Sequence, residues 1–289
     1  FTSIPLLQVS IIGIGLGGGI LNGETNALVA DISNEAEKGS RLSLLGAFYG
    51  IGALGIPVLL SFLSEYYSFE IILQGTGMVM LIGILFCLGI RFPAPKQPQG
   101  FPIKEGLGLL KESSLLLLSF ILFFQSGIEG VCNNWTTLYL GQTTGIPENR
   151  ALIALTCMVA GLTVARLLLV VLFKKIKQET VLRTSLITAV AGFALLTFAP
   201  GFARAAIGMA LIGAGLASTF PVILSIIGSR YASLSGTAFS VALVIALIGQ
   251  TLLNSLTGII SQGYGIVVYP YMMIVSLLIM LLLFKRSLK

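Results

Sequence analysis

Histidine is absent from this 289-residue chain, charged residues make up only 10% of it, and there are three cysteines and one tryptophan. Each shortage excludes something. A soluble domain covers its surface with about 25% charged residues, so this chain cannot be water-soluble over most of its surface. Without His, neither a Ser/His/Asp set nor a His-ligated metal site can form, and any proton relay must run through a carboxylate. Cys87, Cys132 and Cys157 all sit inside apolar runs, and an odd number so placed argues against a disulfide framework and a zinc site. No P-loop occurs, and the Gly-x-Gly-x-x-Gly-like stretch near Gly13 follows no strand, so it is not a nucleotide site. No signal peptide is expected within the first 31 residues, which carry neither a basic n-region nor a small-residue cleavage site.

What is abundant is apolar sequence: 56% hydrophobic residues and a mean hydropathy of +1.00. Lipid is the solvent that accepts such a surface. Nine runs are long enough to cross it, at about 5–31, 42–63, 70–90, 115–140, 151–173, 183–200, 204–229, 236–262 and 264–284. Short polar turns separate them. The exception is 91–114, Pro-rich and basic, which reads as a cytoplasmic linker between a three-span unit at 1–90 and a six-span bundle at 115–289. The expected class is an all-α membrane protein.

The positive charges sort by side. Alternate loops carry Lys38 and Arg41; Arg91, Lys96, Lys104 and Lys111; Lys174, Lys175, Lys177 and Arg183; Arg230; and Lys285, Arg286 and Lys289. The opposite loops carry Arg150 and Arg204. By the positive-inside rule this places the C-terminus in the cytoplasm and Phe1 outside, and the expected location is a plasma membrane, of the bacterial inner-membrane kind. The net charge of +6 is thus a topology signal, and nucleic acid is not an expected partner.

A weak internal repeat adds to this. Ile12-Gly-Ile-Gly-Leu-Gly-Gly through Asn26 resembles Ile207-Gly-Met-Ala-Leu-Ile-Gly through Pro221, and further on Gly52 aligns with Gly249 and Tyr67 with Tyr264. Spans one to three therefore look like spans seven to nine. Parallel halves of three plus three spans then predict about three more spans, roughly 100 residues, ahead of Phe1.

Polar residues inside the spans cluster on faces. Gln125, Glu129 and Asn133 fall at i, i+4 and i+8, beside the lone Trp135, and face either a cavity or another helix. Trp135 stacks on a solute ring or anchors the outer interface. Gln250, Asn254, Thr257 and Ser261 form a second stripe with the same two readings. Asn22 and Asn26 share a face, with Glu24 turned about 200° from Asn22. Asp31 and Arg166, near inner ends of spans, are gating or structural residues. The spacings Gly15-xxx-Gly19-xxx-Gly23 and Gly46-xxx-Gly50 predict close helix approach, and Pro57 and Pro221 predict kinks.

Four stretches together resemble the fucose-permease-like branch of the major facilitator superfamily. They are Arg41-Leu-Ser-Leu-Leu-Gly-Ala-Phe-Tyr-Gly-Ile-Gly-Ala; Ser126-Gly-Ile-Glu129 with Trp135; Ala165-Arg166; and Phe220-Pro-Val-Ile-Leu-Ser with Gly236-Thr-Ala-Phe-Ser, Gly249 and Gly258. The resemblance implies a major facilitator fold of which this chain supplies helices 4 to 12 of twelve. It also implies a Glu or Gln at Glu129, and a coupling Glu four residues before an Asn. Aligned without a gap from Arg41, Asn26 takes the place of that Asn, Asn22 stands where the coupling Glu would be, and Glu24 is two residues off. Tyr49 and Ser43 replace polar residues of the branch.

The expected function is therefore secondary transport of a small polar solute, a monosaccharide, by cation-coupled alternating access. Asn22, Asn26, Gln125, Asn133, Trp135, Gln250 and Asn254 are the expected solute-binding residues, and Glu129, with Glu24 the second acid, couples H⁺ or Na⁺. No cofactor and no metal is expected. The runner-up is a drug or metabolite exporter, and a non-transporting sensor on the same fold is a third reading. An enzyme would need nucleophiles, acids or metal ligands gathered at one depth, which the chain lacks.

Overall fold

The structure, a computed structural model, describes residues 3–93, 108–198 and 201–287, so most of the expected linker lies outside the described residues. Among the described residues ten α-helices of three turns or more follow one another: α1 Ile4–Asp31, α2 Lys38–Ser64, α3 Phe69–Gly89, α4 Ser113–Thr144, α5 Glu148–Leu172, α6 Gln178–Phe198, α7 Phe202–Leu216, α8 Thr219–Arg230, α9 Ser235–Tyr264 and α10 Tyr269–Ser287. The α7–α8 pair makes one crossing, Phe202–Arg230. Over the described residues each of the nine expected spans falls on helix, with ends that differ by up to a few residues; residues 199 and 200 of the sixth lie outside the described residues, and the seventh is broken into two helices.

The described loops that carry Lys38, Lys174 and Arg230 meet at one end of the bundle, where Lys38 bonds Ser229, Ser40 bonds Val170 and Arg230 bonds Ser114. At the opposite end the turns after α4, α6 and α9 each carry a glycine with positive φ: Gly145 (67°), Gly201 (114°) and Gly265 (78°). An L side chain is strained there, and glycine is not. Gly145 closes α4 by donating its N–H to the Leu140 carbonyl.

Packing is densest within α4–α10. Tyr269, Phe193, Phe239 and Phe284 are fully buried there. The Tyr269 hydroxyl lies 3.0 Å from Thr136 Oγ1 and donates to Cys132 Sγ at 3.3 Å, so the largest buried polar side chain is satisfied. Small residues set the closest approaches. A Cβ on Gly249 would run into the backbone of Phe123 in α4, and one on Gly213 into the Met158 carbonyl of α5. Without a hydrophobic force between lipid-bathed helices, such backbone proximity supplies much of the association.

Two expectations about glycine and proline divide. Gly46 and Gly50 do bring α2 against α5, where Arg166 and Thr163 occupy the space a Cβ would take. Gly15, Gly19 and Gly23 do not: a Cβ on any of them meets nothing within 4 Å, because no described helix packs on that face of α1. Pro221 breaks its span, since it cannot return an N–H to the Ala217 carbonyl one turn back, and α7 ends at Leu216 just before it. Pro57 does not interrupt α2.

Outside this core the surface is apolar. Helix α3 has no buried residue, and Met78, Leu81, Leu85, Phe86 and Leu88 all stand open. In water such a helix would be a liability, and in a bilayer it is ordinary.

Candidate functional site

A cavity of about 730 Å³ lies between α1 and α2 on one side and α4, α5, α8 and α9 on the other. Its polar lining includes Asn22, Asn26, Glu129, Asn133, Arg166 and Gln250, and its apolar lining includes Phe48, Tyr49 and Phe220. Of all the lining residues only Glu129 and Arg166 carry a full charge.

The expected residues divide between wall and packing. Asn26 Nδ2 donates to both the backbone carbonyl of Asn22 (2.8 Å) and its Oδ1 (3.0 Å), which holds the two amides as one unit on the cavity wall. Glu129, Asn133 and Gln250 reach the cavity from α4 and α9. Gln125 does not line it. The side chain is fully buried, and Nε2 donates to the Leu216 carbonyl at 3.2 Å, an acceptor at the break ahead of Pro221. Trp135 and Asn254 hold one another instead: Trp135 Nε1 and Asn134 Nδ2 both donate to Asn254 Oδ1, at 3.2 and 2.9 Å, while Asn254 Nδ2 returns to the Gln250 carbonyl. Glu24 is exposed and outside the cavity.

Arg166 has a particular geometry. It reaches from α5 toward α2, is 6% exposed, and donates Nη1 to the Gly46 carbonyl at 3.0 Å. Its own carbonyl accepts from Ser43 Oγ at 2.7 Å. Its Nε is buried with no acceptor. Glu129 and Arg166 share the wall without forming an ion pair within 4.0 Å.

The cavity is shut at the basic end. Asp31 Oδ1 accepts from Ser235 Oγ at 2.8 Å, joining α1 to the start of α9. Lys38, only 2% exposed, donates to Glu35 Oε1 (2.7 Å) and to Ser229 Oγ (3.0 Å), and Ser229 also donates to Glu35. Ser40 Oγ donates to the Val170 carbonyl. These bonds tie α1 and α2 to α5, α8 and α9, whereas toward the other end α1 is open over most of Ile4–Leu21. Asp31 therefore stands at the closure, and Arg166 spans from the closure to the cavity. The Lys38–Glu35–Ser229 cluster was not anticipated. Its only trace in sequence is the i, i+3 spacing of Glu35 and Lys38, which ordinarily marks a solvated pair.

Solved structures share this fold. In a crystal structure of the major facilitator transporter FucP in the outward conformation, the fold superposes with a TM-score of 0.77 at 20% identity, covering 96% of this chain and 74% of that one. For a variant of the Escherichia coli fucose:proton symporter FucP the TM-score is 0.80 at 20% identity, covering 98% and 76%. An uncharacterized transporter, y4wD, from Sinorhizobium fredii is 23% identical over 269 residues, which is 90% of this chain and 69% of that protein. The family model for the Major Facilitator Superfamily matches residues 1–252. By that match this transporter chain belongs to the Major Facilitator Superfamily.

Proposed function

We propose that the protein is a secondary active transporter for a small polar solute of monosaccharide size, driven by H⁺ or Na⁺ and working by alternating access. The observation that carries this reading is the cavity between the two groups of helices, closed at one end and lined by amides with a single carboxylate. Its volume is within the range of small-molecule sites. Amides both donate and accept, so the Asn22–Asn26 unit, Asn133 and Gln250 suit hydroxyl groups. Glu129 is the acid that touches the cavity and is the coupling group. Positive-inside charge makes the closed, basic end cytoplasmic, so this is an outward-facing state in a bacterial inner membrane. The units at 1–90 and 115–289 rock about the cavity to expose it to the other side. FucP, the fucose:proton symporter with the same fold, supports both the solute class and the coupling.

The aromatic lining of Phe48, Tyr49 and Phe220 favours a second reading, export of an apolar solute. Proteoliposomes with an imposed pH or Na⁺ gradient separate the two. The polar-solute reading expects gradient-driven accumulation of a labelled monosaccharide that lipophilic cations do not inhibit. Gradient-driven extrusion of a lipophilic cation, insensitive to sugars, contradicts it.

A further inference from the structure

We infer that the solute carries one carboxylate, seated on Arg166, so that the substrate class is the sugar acids and not the neutral sugars. This rests on the reading of the cavity as a polar-solute site and narrows it. The first observation is the unfinished bonding of Arg166. Its Nη1 is committed to the Gly46 carbonyl, and its Nε is buried with no acceptor. Nε and Nη2 form the side edge of a guanidinium, whose two parallel N–H groups match the two oxygens of a carboxylate. Buried donors in proteins are ordinarily satisfied, so an unpaired, buried Nε on an Arg that lines the cavity points to an acceptor that arrives with the solute.

The second observation is the charge of the wall. Arg166 and Glu129 are its two full charges, and no ion pair joins them. With Glu129 ionised the two cancel. A proton or Na⁺ bound at Glu129 leaves the charge of Arg166 uncompensated, and one carboxylate then restores neutrality. Cation and anion thus enter together with no net charge added to a low-dielectric site, where an added charge is costly. One guanidinium edge takes one carboxylate, and the Asn22–Asn26 unit, Asn133 and Gln250 remain for the hydroxyls. Tyr49 is the other titratable side chain on the wall.

Calorimetric titration of the purified protein with D-glucuronate, its neutral methyl ester and D-glucose tests the assignment. The carboxylate seat predicts that glucuronate binds at least about tenfold more tightly than either neutral compound, the size of a lost charge-assisted hydrogen bond. Arg166→Gln should abolish that preference, and Glu129→Gln should tighten glucuronate binding. Because Arg166 also bonds Gly46, a variant that fails to fold is uninformative by itself, and the comparison of acid with ester in the unaltered protein then decides. Equal binding of all three compounds overturns the carboxylate seat and leaves the polar-solute reading standing. Binding of none, with a lipophilic cation bound instead, overturns both.

Discussion

At the scale of single residues, the division between wall and packing follows from helical pitch. A helix turns about 100° per residue, so residues at i, i+4 and i+8 drift by about 40° at each step. On α4 the cavity-facing set is Ser126, Glu129, Gly130 and Asn133, and Gln125 lies about 90° from the middle of that set. The stripe was legible in the sequence. The edge of it that turns into the bundle was not, because the edge depends on where α7 breaks. Asn254 shows the other way a pattern misleads. It lies on the cavity face of α9 by angle, yet one turn beyond Gln250, where Trp135 and Asn134 claim its oxygen. The account predicts that Asn22→Ala or Asn26→Ala lowers solute uptake by about tenfold or more, as expected where about 1–2 kcal/mol of hydrogen bonding to solute is lost. Glu24→Gln should leave initial uptake rates within about twofold, the ordinary range for an exposed substitution. Uptake abolished by Glu24→Gln and spared by Asn22→Ala would reverse the assignment of α1.

At the scale of helices, the structure turns on two kinds of junction. One is backbone proximity. The contact of α4 with α9 depends on Gly127, Gly130 and Gly249, and a Cβ at Gly249 would press on the Phe123 carbonyl. Gly249→Val should destabilise the protein by about 1–3 kcal/mol through overpacking, read as a lower midpoint in a detergent thermal melt. An unchanged midpoint would mean that α9 is free to shift. Sequence spacing alone did not identify this junction, and it favoured Gly15, Gly19 and Gly23, which have no described neighbour. A glycine motif reports that close approach is permitted, not that a partner is present. The other junction is the closure at the basic end. Removing Lys38 takes away the buried ammonium that bonds both Glu35 and Ser229, and with it a link between the start of α2 and the end of α8. Lys38→Met should therefore shift the population toward opening at the basic end. Alkylation of a cysteine placed at Ser229 or Ser235 would then run faster than in the otherwise unaltered protein, and equal rates would deny Lys38 a part in the closure.

At the scale of the whole molecule, composition and hydropathy already specified a polytopic helical bundle, and the four family-like stretches specified its superfamily. What no local pattern could show is the state of the bundle, because closure arises from contacts between residues more than a hundred positions apart, such as Asp31 with Ser235 and Ser43 with Arg166. The orientation has its own test. A reporter fused after Lys289 should be active on the cytoplasmic side only, and activity on the opposite side would invert the reading of the closed end. The central claim is that the carboxylate of Glu129 converts a cation gradient into solute accumulation. The direct measurement compares two activities of Glu129→Gln in proteoliposomes: exchange of solute at equilibrium, and uphill accumulation under an imposed pH or Na⁺ gradient. The Gln side chain keeps size and hydrogen bonding but cannot bind a proton or neutralise a cation. The account predicts that exchange persists while accumulation is lost. A well-folded Glu129→Gln protein that still accumulates solute uphill, with an unchanged dependence on pH and Na⁺, would contradict it.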